Sequence, residues 1–92
     1  MDYPFDELYS SYNTFIRKFY KDTDEDELVW HRDKEDRFIM LLDGGKDWLI
    51  QLEDELPKPI DEIFIRKDTY HRVIKGTDDM VVAIRKYVEI SE

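Results

Sequence analysis

The residues able to do chemistry gather in two short stretches, Trp30-His31-Arg32-Asp33-Lys34-Glu35-Asp36-Arg37 and Asp68-Thr69-Tyr70-His71-Arg72. Together they hold both of the chain's 2 histidines. His31 and Asp33 stand two residues apart, so on a strand their side chains leave the same face. If that face is interior, His71 can join them from an opposing strand. Two imidazoles and a carboxylate make a facial triad that suits Fe(II) and that other divalent ions such as Mn, Ni or Zn also accept. Three protein ligands leave positions open for water or a small molecule, as metal-assisted chemistry requires. Arg37 cannot be a ligand, because a guanidinium keeps its proton. It could instead grip the carboxylate or phosphate of an anionic substrate through paired hydrogen bonds. A metal-free arrangement competes with this one. In it Arg37 pairs with Asp33, the pair fills the place of a metal, and His31 and His71 are hydrogen-bonded interior residues.

Other residues make weaker cases. Trp30, Trp48, Tyr70 and Tyr87 could wall a pocket for a ring or sugar, and Trp48 and Tyr70 join Arg37 as the substrate-binding candidates. Buried aromatics in a small β-domain are nevertheless more often core. Glu35 and Asp36 could act as an acid–base pair, but they fall in a charged bend. Asp22, Asp24 and Asp26 imitate the start of a calcium loop, yet Glu27 stands where its sharp turn needs glycine. Arg32, Arg66, Arg72 and Arg85 are scattered, as surface ion-pairing arginines usually are. There is no Ser-His-Asp spacing, no phosphate-binding glycine loop and no cysteine cluster.

The elements that must position these residues read as short strands. Asn13–Tyr20 is β-branched and aromatic between polar residues, as a half-buried strand is. Lys21–Glu27 is a charged, solvated turn. Glu27–His31 reads as a short strand, Arg37–Asp43 as a longer one, and Gly44-Gly45 as the tight turn to a return strand over Lys46–Glu53. Leu56–Ile60 reads as a break, because its prolines cannot donate to a ladder. Strands follow at Glu62–Arg66, Tyr70–Lys75 and Met80–Ile90. Tyr3–Ser11 reads as a helical turn begun by Pro4. Strands spaced about ten residues apart indicate an all-β sandwich or barrel. Phe38-Ile39-Met40-Leu41-Leu42 is apolar at every position, so both of its faces want cover. Either the strand bearing Phe15 and Phe19 closes over it, or a second copy of the chain does, so that a homodimer is expected, or a two-layer sandwich simply encloses it.

From Val29 to Lys86 the chain resembles the cupin superfamily. The first cupin motif has two histidines one residue apart, then a glutamate, then a glycine seven residues beyond it. Here His31 and Asp33 take the paired positions, Arg37 the glutamate position and Gly44 the glycine. In the frame of the second motif stand Arg66, Asp68 and His71, with Asp61 following Ile60 where a Gly-Asp pair is common. The resemblance implies a small antiparallel jelly-roll β-barrel, with residues 1–12 as an N-terminal arm and 13–90 as the barrel of one domain. It implies a metal site at His31, Asp33 and His71, with Asp33 and Arg37 standing in for two of the usual ligands. Two functions follow: a ligand-binding cupin without metal, or a metal-dependent dioxygenase or isomerase acting on a small anion.

Bulk properties narrow the setting. A chain of 92 residues fits one core. With 23 acidic against 14 basic residues, its net charge of −9 repels nucleic acid and anionic lipid. The sequence starts without the basic and apolar run of a signal peptide, and its longest apolar run cannot span a bilayer, so a cytoplasmic protein is expected. So much like charge on so small a domain opposes folding through self-repulsion that salt screens. The expected outcome is a melting temperature that rises modestly from low to moderate ionic strength, and a fall over that range would contradict it.

Overall fold

The computed structural model describes residues 5–22 and 29–87, which form eight strands and no helix. They are β1 (Phe5–Ser10), β2 (Thr14–Phe19), β3 (Asp36–Gly44), β4 (Leu49–Leu52), β5 (Lys58–Pro59), β6 (Glu62–Ile65), β7 (His71–Ile74) and β8 (Met80–Tyr87). One sheet has the order β1-β2-β8-β3-β6 and the other β5-β4-β7, with every pairing antiparallel.

Alternation selects the inner faces. Met80, Val82 and Ile84 of β8 and Ile63 and Ile65 of β6 are buried, while their neighbours in sequence are more exposed. They meet Trp48, Ile50, Leu52 and Ile60 from around the smaller sheet in one core. Phe15 and Phe19 of β2 pack against that core, opposite Ile84 and Met80 on the neighbouring strand. Burying each such side chain contributes about 1.5–3 kcal/mol. The turn after β3 needs its glycines. Gly44 and Gly45 have φ of +63° and +59°, and a Cβ on Gly44 would stand 2.2 Å from the Asp79 carbonyl oxygen.

Several sequence expectations are corrected. Phe5–Ser10 is a strand and not a helical turn, because the turn at residues 11–13 folds it back on β2, where Ser11 Oγ accepts from the Thr14 N–H. Tyr3 and Pro4 lie outside the described residues. Lys58–Pro59 is not a break but a two-residue edge strand on β4. An edge tolerates proline because its missing donor interrupts no second ladder. Of the strand expected at Glu27–His31, the described part forms only an isolated bridge at His31. Likewise β8 is described to Tyr87, and residues 88–90 lie outside.

The apolar run in β3 divides between two faces. Ile39 and Leu41 point to the core, while Met40 and Leu42 remain 37% and 49% exposed. The strand bearing Phe15 and Phe19 does not stack over this outer face. It lies two places away in the same sheet.

The turns at the glycine end are clamped together by Asp47, whose carboxylate accepts from the N–H and hydroxyl of Thr77. Those bonds hold the Asp47 carboxyl below the ordinary carboxylate range. A depressed pKa means the clamp stabilises the fold above that range and is lost as pH falls through it. Asp47→Ala is therefore expected to lower the melting temperature at neutral pH, with the gap to wild type closing below about pH 4. A gap that persisted in acid would show that the carboxylate is not its source.

Candidate metal centre

The site is built on a backbone pairing. The His31 N–H donates to the His71 carbonyl at 3.0 Å, and the His71 N–H donates back to the His31 carbonyl at 2.9 Å. This reciprocal exchange makes a hydrogen-bonded antiparallel pair, which sends both side chains to one face. The imidazole centroids lie 4.3 Å apart, edge to face. Two residues on, Asp33 comes to the same face. The backbone around it is tied to the β6–β7 turn, where the Asp33 carbonyl accepts from the Asp68 N–H at 2.7 Å. Asp36 reinforces the tie by accepting from the Lys67 N–H at 2.7 Å. Asp68 has φ of 63°, a left-handed conformation that aspartate tolerates better than most residues.

His31 Nδ1 lies 3.0 Å from the Val29 carbonyl oxygen and His71 Nδ1 lies 2.9 Å from that of Thr69. A carbonyl can only accept, so each Nδ1 carries the hydrogen, and Nε2 is the ring nitrogen left for the site. His71 Nε2 stands 3.3 Å from Asp33 Oδ2. That oxygen is buried and has no hydrogen-bond partner. Ligand atoms of His31, Asp33 and His71 all lie within 4.8 Å of one another. Burial pushes the Asp33 carboxyl up, but the His71 imidazole and the Arg37 guanidinium together outweigh it and hold the group below its ordinary value.

Arg37 borders this group. Its Nη2 lies 3.2 Å from Asp33 Oδ1 and 3.1 Å from Glu35 Oε1, and Glu35 also pairs with Lys86 at 3.4 Å. The expected Asp33–Arg37 pair is thus present beside the histidine pair. Arg37 Nε is buried without a hydrogen-bond partner.

All four residues open on a cavity of about 350 Å³ between the two sheets, at the lower end of the range for small-molecule clefts. Trp48 and Tyr70 do not line it. Trp48 is fully buried in the core and donates through its indole N–H to the Asp78 carbonyl. Tyr70 is 42% exposed beneath the Arg32 guanidinium. Trp30 and Tyr87 are also outside the lining, stacked under Arg72 and Arg85. Glu35 and Asp36 are both engaged in the contacts given above. Of the calcium-like run, Asp24 and Asp26 lie outside the described residues.

Arg17 is the lining residue that sequence reasoning passed over. Its guanidinium lies over the rings of Phe5 and Phe15, 4.3 and 5.0 Å from their centroids, and bonds Glu7 at 2.7 Å. Its place between Phe15 and Phe19 on an alternating strand was the available signal, since all three share the inward face.

No family model and no curated protein matches this sequence. Solved structures do. A DMSP lyase structure superposes with a TM-score of 0.67 at 14% identity, over 82% of this chain and 37% of that one. Hydroxypropylphosphonic acid epoxidase from S. wedmorenis gives a TM-score of 0.60 at 17% identity, over 80% of this chain and 42% of the enzyme. A Ralstonia eutropha JMP134 protein assigned as a mannose-6-phosphate isomerase gives 0.62 at 19% identity, over 91% of this chain and 83% of that one. The chain spans about two fifths of the length of the lyase and the epoxidase. These likenesses show the fold of the chain, a cupin-type fold of antiparallel sheets.

Proposed function

We propose that this protein is a small cupin that holds a divalent metal on His31, Asp33 and His71 and presents it to a small anionic molecule gripped by Arg37. One observation carries the reading. His71 Nε2 faces Asp33 Oδ2 at 3.3 Å, and that buried oxygen has no hydrogen-bond partner. Buried polar atoms are rarely left in that state, and a cation shared by the two groups would relieve it. The carbonyls of Val29 and Thr69 accept from the two Nδ1–H groups and fix tautomer and ring orientation, as carbonyls behind metal-bound histidines do.

When bound, the metal would supply Lewis-acid polarisation of an oxygen of the ligand. The protein's own residues do the remaining work. Asp33 and Glu35 balance Arg37 and Lys86 in charge, so a divalent ion leaves the cluster with net positive charge beside an apolar cavity. Such charge favours an anionic ligand strongly. The Arg37 Nε–H is the free donor on that side. Structures of the similar epoxidase with Fe(II) and with Co(II) support a divalent ion as the class of cofactor. The Arg37–Asp33 pair at 3.2 Å favours the metal-free alternative, in which Arg37 supplies the balancing charge alone.

Elemental analysis for Fe, Mn, Ni, Zn and Cu, paired with a His31→Ala/His71→Ala double variant, separates the two. The expected result is near-stoichiometric metal in wild type, little in the variant, and a rise in wild-type melting temperature with added metal. A metal at 100 times its Kd would add about 2.7 kcal/mol to stability. Metal-free wild type whose melting temperature ignores added ions would overturn the proposal.

The partner proposed for the domain is a second copy of itself, docked on the outer face of the five-stranded sheet. Tyr9, Ile16, Ala83 and Met40 are cross-strand neighbours there, in one apolar row over four strands. Phe64 and Tyr87 extend it, with rings 5.8 Å apart and 49% and 45% exposed. Contiguous apolar exposure of this kind marks association surfaces. Sedimentation is expected to give a dimer for wild type and a folded monomer for Met40→Lys/Phe64→Lys; a monomeric wild type would dispose of the idea.

A further inference from the structure

We infer that the ligand of this cavity is a carboxylate with an apolar body, and that polyhydroxylated molecules are excluded. The head-group half of the inference rests on the site reading given above. The body half rests on the cavity wall alone.

The wall is aliphatic and aromatic over most of its length. Ile39, Ile50, Ile60, Val73, Val82 and Ile84 line it together with Phe19 and Met80. Among the described residues, no lining side chain carries a hydroxyl or an amide. A sugar-like ligand would exchange water for hydrocarbon around each hydroxyl, losing about tenfold in affinity for every group left unpaired. The polar lining groups besides Arg17 are His31, Asp33, Arg37 and His71, all in the one cluster.

Strand register sets Arg37 and Phe19 well apart along the sheet. Arg37 stands opposite Lys86 of β8, and Phe19 opposite Met80 of the same strand. Six residues separate those positions, about 20 Å at ~3.4 Å per residue. A ligand with its anionic group at Arg37 therefore runs its body along the isoleucines toward Phe19 and Met80. Arg17 does not call for a second anion, because its Nε, the atom left without a partner on Arg37, is bonded to Glu7 at 2.7 Å and two rings cover its guanidinium. One charged end and one long apolar wall define an amphiphilic monoanion.

Calorimetric titration of the full chain, loaded with Zn(II), with butanoate, hexanoate and octanoate tests this directly. Affinity is expected to rise roughly fourfold for each added methylene until the cavity is full. Hexanoate is expected to bind at least tenfold more tightly than 1-hexanol or mannose 6-phosphate. Arg37→Gln should erase the advantage of hexanoate over 1-hexanol, and Arg37→Lys should keep part of it, with circular dichroism confirming that both variants fold. An affinity flat with chain length, mannose 6-phosphate equal to hexanoate, or no binding by any carboxylate overturns the inference. Repeating the series on the His31→Ala/His71→Ala variant separates this inference from the metal reading. Wild type without metal but with the chain-length gain sinks the metal reading alone, and metal with a flat series sinks this inference alone.

Discussion

The site depends on the pair of backbone hydrogen bonds between His31 and His71. They set two histidines 40 positions apart in sequence directly opposite each other. The pairing settles orientation as well as distance, since opposite residues of an antiparallel pair point the same way. Once it forms, Asp33 follows to that face by strand alternation. The tie from Asp33 and Asp36 to the β6–β7 turn then keeps the carboxylate from swinging out.

Electrostatics completes what the backbone begins. Asp33 lies between the His71 imidazole, which meets one carboxylate oxygen, and the Arg37 guanidinium, which meets the other. Arg37 is in turn divided between Asp33 and Glu35, and Glu35 between Arg37 and Lys86. Such a chain of half-buried charges holds its members in place against desolvation only because each has an opposite neighbour. The atoms left over, Asp33 Oδ2 and Arg37 Nε, are an acceptor and a donor on the two sides of one cluster. A cation and an anion bound together would satisfy both.

Much of this was legible before the fold. The alternation of Thr14–Phe19 and the glycines after β3 are local signals, and both strand and turn stand where they indicate. The spacing of His31, Asp33 and Arg37 pointed to residues that do come together. Less legible were the elements whose state depends on a neighbour. Phe5–Ser10 is extended because β2 pairs with it, and Lys58–Pro59 because β4 offers an edge. Trp48 was a candidate for a pocket wall although such aromatics are more often core, and its complete burial beside Asp78 places it in the core. Arg17 was unremarkable in a strand until the sheet turned its face toward the cavity.

Residue types and periodicity by themselves determined an all-β domain and the short roster of groups able to bind a metal or an anion. These follow from local geometry, in which side chains alternate and glycine alone accepts the turn after β3 without strain. Only the tertiary structure decided which sheet each strand joins, that His31 meets His71, that both Nδ1 atoms are occupied by carbonyls, and that the space beside them is walled with hydrocarbon. Those facts depend on contacts between residues far apart in the chain, and no local pattern specifies which distant partner a strand will find.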